Sequence, residues 1–190
     1  MGVEERMADR CNTIRLYSFQ TDVVYQVLKR DGVCYSKEEY VRKKYKESAK
    51  VFINAYGWFV KEAQHIVPYW AFTDLYNVDQ TGDGHVLTLD VPIGEAILFD
   101  MFDWTKIMQM HYIGENESEE ATFSEELKNM GMNEFQIMTS NFYPEQKARI
   151  QESWKRLFGH QQAIEAGDNS GVHSVQAGLW CIKDEWIVKE

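Results

Sequence analysis

The stretch VLTLDVPIGEAILFDMFDW, residues 86–104, decides the fold class of this chain. After Val86, residues 87–91 alternate between apolar and polar side chains, which predicts a strand with one buried face. A Pro-Ile-Gly turn follows and leads into AILF, a second short apolar run that predicts another strand. From Asp100 onward the apolar residues take a helical spacing. A strand, a turn, a strand and a helix in immediate succession favour an α+β fold.

The segments on either side of this stretch mix strand and helix patterns irregularly. TIRLYSF, from Thr13 to Phe19, predicts a strand, and the apolar stripe after Thr21 predicts a helix that Gly32 ends. Further predicted elements are a charged helix over 36–50, a core helix over 51–66, an amphipathic helix over 145–158 and two final strands around a Lys-Asp turn. We therefore predict a single α+β domain over residues 13–190, preceded by a flexible tail at 1–12. Its sheet should be small, antiparallel or split, and packed with several helices.

The composition is that of a folded, acidic protein. Hydrophobic residues make up 44% of the chain and aromatic residues 14%, which is enough to build a core. The formal net charge of −10 disfavours binding to a nucleic-acid backbone, because phosphates and protein would repel each other. The same charge suits an ordinary acidic cytosolic protein and also an inhibitor that mimics nucleic acid.

The cysteines and the first residues favour a reducing, cytoplasmic location. Cys11, Cys34 and Cys181 are odd in number, widely spaced and in no CxxC pair, which disfavours a disulfide framework or a zinc knuckle. MGVEERMADR lacks the apolar segment of a secretory signal. No apolar run approaches the roughly 20 residues of a membrane span. We expect a cytoplasmic protein that does not enter a membrane.

The segment from Asp79 to Asp90 has the spacing of a calcium-binding EF-hand loop. Oxygen-bearing side chains recur at alternate positions, and a glycine permits the sharp turn. However, the twelfth position holds Asp90 instead of a bidentate Glu, the sequence HVLTLDV has the alternation of a strand, and Pro92 falls where a helix should continue. We interpret the segment as a turn that leads into a strand. The five histidines form no metal-binding pattern, so we predict no metal site.

Aromatic residues and carboxylates supply the candidates for a ligand site. Tyr69 and Trp70 come just before the Asp-rich turn, and further tryptophans lie in the predicted final strands. Such residues usually pack in a core, but Tyr and Trp can also wall a cleft and stack on a planar ring. The candidate acid–base or ribose-binding carboxylates, placed at the ends of predicted elements, are Asp100, Asp103 and Glu185.

The ordered segments together resemble a bacterial and phage family catalogued as domain of unknown function number 3841. The resemblance extends over about residues 13–190. The segments that carry it are IRLYSFQ, AYGWFV at 55–60, PYWAF at 68–72, LTLDVP, ILFDMFDW, ESWKRLF at 152–158 and VQAGLWCIKDEWIV. Two departures stand out: Phe99 occupies a position where the family pattern implies Ser, and the Asp-rich turn replaces a basic segment. These departures put in doubt any ligand role that the polar groups of the family serve.

A second resemblance, at the level of architecture, is to small ADP-ribosyltransferase-like proteins. It rests on a strand with Tyr-x-x-Gln, a helix ended by Gly, a later P-x-W and a strand of LxLxVP type. This likeness implies NAD as a possible cofactor, bound in a cleft between two short sheets. The residues it implies are Tyr17 or Tyr69 as the residue that stacks on the ring, Arg15 or Gln20 on the nucleotide, and Glu185 as the catalytic acid. Trp70 and Asp100 join the candidate cofactor-binding residues because of their positions in the chain.

The competing hypothesis is a binding protein without catalytic activity. An acidic inhibitor carried by a mobile element would use its charge and exposed aromatic residues to contact a partner protein. The two hypotheses differ in their ligands, since the first predicts a nucleotide and the second a macromolecular partner. Fold-level likeness alone does not choose between them.

Overall fold

A computed structural model describes residues 12–38 and 52–189, without the side chains of residues 52 and 53. Its strands are β1 (Thr13–Gln20), β2 (Val33–Tyr35), β3 (Tyr69–Phe72), β4 (His85–Pro92), β5 (Ala96–Asp100), β6 (Val175–Leu179) and β7 (Cys181–Lys183). Its α-helices are α1 (Asp22–Asp31), α2 (Gly57–Glu62), α3 (Met101–Met108), α4 (Glu117–Asn129), α5 (Glu134–Thr139), α6 (Pro144–Ser153) and α7 (Gln161–Glu165). A π-helical turn (Phe52–Tyr56) precedes α2, and 3₁₀ turns cover Leu75–Asn77, Ile93–Glu95, Trp154–His160 and Asp184–Trp186.

The strands form one five-stranded sheet and one two-stranded ribbon. The order in the sheet is β4-β1-β3-β6-β5, and β2 pairs with β7 in the ribbon. Every described pairing is antiparallel. The most extensive is β1 with β4, in register from Thr13 opposite Pro92 to Gln20 opposite His85. The predicted α+β class with an antiparallel, split sheet is therefore confirmed.

The stretch that decides the fold class has the predicted structure. β4 and β5 flank a short 3₁₀ turn, and α3 begins immediately after β5. The carboxylate of Asp100 accepts a hydrogen bond from the backbone N–H of Phe102, which caps the first turn of α3. Gly32 ends α1 as predicted, in the left-handed conformation with φ of 75°.

The two faces of the sheet bury different kinds of residue. On one face an aliphatic core packs under α1, with Leu16, Leu28 and Leu89 completely buried. On the other face an aromatic core lies under α2, α3 and the turn Trp154–His160. Phe99 belongs to this aromatic core and is fully buried, with its ring 6.0 Å from that of Phe59. The side chain at position 99 therefore packs in the interior.

Two predicted segments differ from the structure, and two others lie mostly outside the described residues. The predicted core helix over 51–66 is a π-helical turn followed by α2, with Ala55, Trp58 and Phe59 buried as predicted, but it ends at Glu62, and Gln64 has a left-handed conformation with φ of 53°. The last segment divides at Trp180, between β6 and β7, and a 3₁₀ turn replaces the final strand. Most of the predicted tail and of the charged helix lies outside the described residues. Ser36, which we predicted to cap that helix, donates its hydroxyl to the carbonyl of Trp180.

Candidate functional site

Three of the predicted nucleotide-binding residues share the sheet face that carries the aromatic core. Arg15 and Tyr17 are two residues apart in β1, and Tyr17 lies opposite Phe72 of β3. Arg15 is half exposed and pairs with Asp90 of β4, the nearer atoms being 2.5 Å apart. The indole of Trp70 packs among aromatic rings, and its Nε1 donates to the hydroxyl of Tyr56 at 3.4 Å.

The other predicted residues lie elsewhere. Gln20 is three residues from Tyr17 in the same strand and therefore points to the opposite face, where its amide donates to the hydroxyl of Ser18. Tyr69 packs against the aliphatic core, and its hydroxyl donates to the carbonyl of Tyr35. Glu185 is exposed in the final 3₁₀ turn, next to Asp184, whose carboxylate binds Lys29 of α1.

Asp100 lies at one end of the sheet, and it contacts residues that do not contact the other predicted site residues. β3 and β5 both pair antiparallel with β6, so they run parallel to each other and end on the same side. There Asp100 is opposite Val175, and the segment just before β6 passes over its carboxylate. That segment carries His173, a residue that sequence reasoning did not single out. We call Asp100, Asp103, His160 and His173 the Asp100 cluster.

The carboxylate of Asp100 is saturated with hydrogen bonds. One oxygen accepts from the backbone N–H and the Nδ1 of His173, at 3.1 and 2.9 Å. The other accepts from the N–H of Phe102 at 3.0 Å and of Ser174 at 3.4 Å. Burial alone would raise the pKa of Asp100, but these hydrogen bonds outweigh it and lower the pKa below its ordinary value. Asp100 is therefore an anion at neutral pH.

The imidazole of His173 is turned toward solvent although its Nδ1 is fixed. The side chain of His173 is 73% exposed, whereas that of Asp100 is 4% exposed. Since an ionised carboxylate only accepts hydrogen bonds, Nδ1 must carry the proton that it donates. A neutral imidazole held in this way presents the unprotonated Nε2 outward.

A second histidine and a second carboxylate stand beside this pair. Asp103 follows Asp100 by one turn of α3, and its carboxylate lies 4.0 Å from Nε2 of His160 and 3.9 Å from Nζ of Lys106. Burial, followed by the charge of Asp100, raises the pKa of Asp103, and the charges of Lys106 and His160 oppose this. A Cβ placed on Gly171 would be 3.5 Å from Nδ1 of His160, so this imidazole lies against the loop that carries His173.

An open groove borders the segment that holds His160. It has a volume of about 560 Å³ and is lined by Ile97, Phe158, Gly159, Gln161 and Gln162. Its walls combine apolar side chains with two amides, of which that of Gln161 is bonded to the backbone of β5. Phe102 is exposed with its ring centroid 4.8 Å from that of His173, and Leu75 and Tyr76 are exposed in the turn after β3.

The calcium-like segment has the structure of a turn that leads into β4. Asp79 accepts hydrogen bonds from the N–H and the hydroxyl of Thr81, and Asp90 is in the strand, bonded to Arg15. Within residues 12–38 and 52–189, no three His, Cys, Asp or Glu side chains are grouped to hold a metal ion. In the same part of the chain, no helix is both long and apolar enough to cross a membrane.

Sequence reasoning found Asp100 and Asp103 but missed both histidines of the cluster. His160 and His173 match no motif with the carboxylates and are far from them along the chain. The signal available was weak: a histidine in a polar, turn-rich segment immediately before a strand. The pairing of β5 with β6 was needed to place His173 on Asp100.

Comparison with known proteins gives a family but no characterised relative. No curated protein and no solved structure matches the chain. One family model, described as a domain of unknown function (DUF3841), matches residues 15–188 of the 190. That match spans every described strand except the first two residues of β1. The chain therefore belongs to the DUF3841 family.

Proposed function

We propose that this protein is an enzyme that uses His173 as an acid–base catalyst oriented by Asp100. The observation that carries the proposal is the hydrogen bond of 2.9 Å from Nδ1 of an exposed imidazole to a buried carboxylate. A carboxylate in this position fixes the tautomer and orientation of the ring and stabilises the imidazolium that forms after proton transfer. A loop held only by backbone hydrogen bonds would not need the imidazole.

The proposed chemistry is removal of a proton by Nε2 of His173. A water or a hydroxyl group of the substrate, placed within about 3 Å of Nε2, would lose its proton as it attacks an electrophilic centre. The imidazolium would then return that proton to the leaving group. Such positioned proton transfer contributes roughly 10²–10⁴-fold to a reaction rate.

The substrate class that we carry forward is a nucleotide, with NAD as the first ligand to test. NAD comes first because the architectural resemblance implies it; Asp100 is 4% exposed and its carboxylate is engaged by the protein, so in this proposal Asp100 orients His173 and does not bind the nucleotide. The separation of Tyr17 from Gln20 on opposite sheet faces, and the distant position of Glu185, argue against one site made of all the predicted residues. In this proposal His173 takes the acid–base role that was predicted for Glu185.

The test compares turnover by four proteins on NAD and on nitrophenyl esters and phosphates. The proteins are wild type, His173→Gln, Asp100→Asn and, as a matched control, His85→Gln. The control also removes a histidine that binds an aspartate, since Nε2 of His85 is 2.5 Å from Asp22, but that carboxylate is 73% exposed. His85 pairs with Gln20 at the opposite end of the sheet from Asp100.

We expect at least one substrate to be turned over, with a loss of about 10²-fold or more in His173→Gln and Asp100→Asn and no loss in His85→Gln. Equal rates in all four proteins would overturn the assignment of His173. Absence of turnover on the whole panel would overturn the enzyme proposal. The net charge of −10 would then favour the alternative, an acidic binding or inhibitor protein, and a stoichiometric partner should be recovered from host lysate.

A further inference from the structure

We infer that Phe102 is a positioning residue: its ring packs against the imidazole of His173 and so fixes the direction in which Nε2 points. This inference rests on the proposed function, in which Nε2 moves the proton. It adds a residue that acts through His173 and does not itself touch the reacting atoms. It also predicts a property of the imidazole that is measurable without turnover.

The hydrogen bond to Asp100 fixes one atom of the imidazole but leaves the plane of the ring free to turn. Nδ1 of His173 lies 2.9 Å from the carboxylate, and the backbone N–H of the same residue donates to the same oxygen at 3.1 Å. Both bonds therefore end at one acceptor atom. Rotation of the ring about this contact would move Nε2 while the bond is kept, because hydrogen bonds tolerate a range of angles. The side chain is 73% exposed, so most of its surface faces water.

The ring of Phe102 supplies the second contact. Its centroid lies 4.8 Å from that of the His173 ring, with an angle of 33° between the two planes. Aromatic rings attract each other at centroid separations of about 4.5–7 Å. Contact between two flat rings restricts the plane of the imidazole, which a bond to one atom does not. The bond to Asp100 and the contact with Phe102 together fix both the place of Nδ1 and the direction of Nε2.

One carboxylate holds both rings in place. The backbone N–H of Phe102 donates to one oxygen of Asp100 at 3.0 Å, and His173 donates to the other oxygen. Since the first of these bonds caps α3, the backbone that carries the phenyl ring is fixed as well. Side chains that orient a reactive group hold it best when they are themselves held by such bonds.

The exposure of Phe102 shows that this ring contributes little to the core. Phe102 is 49% exposed, whereas Trp104, two residues further along α3, is 6% exposed and belongs to the aromatic core. An apolar ring that stays half in water gains little from burial. Its contact with the imidazole is therefore the feature that a positioning role explains.

The test measures the order of the His173 ring by NMR relaxation of its carbon atoms, together with kcat and KM on any substrate that wild type turns over. Phe102→Ala removes the ring but keeps the backbone N–H that caps α3. Phe102→Tyr keeps an aromatic ring at the same place. The control is Phe142→Ala, because Phe142 is 74% exposed between α5 and α6 and its removal matches the loss of exposed aromatic surface.

We expect order parameters above about 0.8 in wild type, Phe102→Tyr and Phe142→Ala, and below about 0.6 in Phe102→Ala. The kcat of Phe102→Ala should fall about tenfold or more with KM within about twofold of wild type, because a misdirected Nε2 affects the transition state and leaves substrate binding unchanged. Phe102→Tyr and Phe142→Ala should retain the kcat of wild type.

An unchanged order parameter in Phe102→Ala would contradict the inference, and so would equal losses in Phe102→Ala and Phe102→Tyr. It would also fall if Phe102→Ala kept the kcat of Phe142→Ala while His173→Gln lost turnover, a result that would leave the proposed function in place. Absence of turnover in wild type would overturn the proposed function instead, and the order parameters would then decide whether Phe102 holds the imidazole.

Discussion

Replacement of Gln161 by Met should destabilise the protein, because the side chain of Gln161 protects the free edge of the sheet. β5 is an outer strand of the five-stranded sheet, and its outward backbone groups need partners. Gln161 provides them from the start of α7. Its Oε1 accepts from the N–H of Leu98 at 2.6 Å, and its Nε2 donates to the carbonyl of Ala96 at 3.3 Å.

The geometry explains why one side chain is enough. In a parallel pair, a residue bonds to the carbonyl before and the N–H after the residue opposite to it. The amide of Gln161 makes this pair of bonds around Ile97 and so takes the place of one residue of a neighbouring strand. Methionine has similar length and no hydrogen-bonding amide. The N–H of Leu98, in a residue with no exposed surface, would lose its partner.

The loss in the free energy of unfolding follows from these two hydrogen bonds. A buried donor without a partner costs about 1–3 kcal/mol, and the longer bond to Ala96 adds less. We expect Gln161→Met to lower the free energy of unfolding by about 2–3 kcal/mol, whereas the same change at the exposed neighbour Gln162 should cost under about 0.5 kcal/mol. Urea unfolding followed by tryptophan fluorescence measures both values.

Hydrogen exchange provides a residue-level check on the same reasoning. The amide of Leu98 should exchange at least about tenfold faster in Gln161→Met, because its opening no longer breaks a bond to the side chain. The opened edge should also promote self-association, which light scattering detects. Unchanged protection of Leu98, together with equal stabilities of the variants at 161 and 162, would refute the role assigned to Gln161.

Three further predictions concern positions where a side chain would meet, or already has, close neighbours. Gly84→Ala should destabilise the fold by about 1–3 kcal/mol in urea unfolding, because the new Cβ would be 2.5 Å from the backbone oxygen of Gln20, while Gly94→Ala, with open space, should cost little. Phe99→Ser, which restores the residue implied by the family pattern, should cost at least about 3 kcal/mol because Phe99 is fully buried in the aromatic core. Asp100→Asn should cost about 2 kcal/mol at pH 7. Because the folded pKa of Asp100 is lowered from 3.8, that difference should be constant above about pH 5 and shrink as pH falls through the folded pKa, as measured by unfolding at several pH values.

Local pattern was sufficient for much of the fold. The alternation in LTLDV predicts β4, and Gly32 predicts the end of α1, because both signals depend on neighbouring residues only. The same period of two already implies that Tyr17 and Gln20 face opposite sides of a strand. A single cleft lined by both Tyr17 and Gln20 was therefore inconsistent with the strand that we predicted. The core helix predicted over 51–66 ends early, at Glu62, because its apolar spacing does not reveal the left-handed conformation of Gln64.

The candidate site depended on pairings that a single sequence does not encode locally. Asp100 could be predicted as a polar residue at the end of an apolar run, but His173 is 73 positions away along the chain. Their contact requires β5 to pair with β6 in one particular register, with Asp100 opposite Val175. A shift of one residue would turn every side chain of β5 to the other face and remove the contact. Register is set by the packing of both cores, so it emerges only from the complete fold.

Substitutions of Asp100 and of His173 should affect stability and catalysis differently. Asp100 caps α3 and holds the loop before β6, so its replacement changes the folded state as well as any reaction. The imidazole of His173 donates a hydrogen bond to Asp100, but its side chain is 73% exposed and buries little surface. Its replacement should therefore leave the free energy of unfolding within about 1 kcal/mol of wild type. If His173→Gln loses turnover without a comparable loss of stability, the loss arises from chemistry at Nε2. If turnover and stability fall together, the hydrogen bond between His173 and Asp100 has only a structural role.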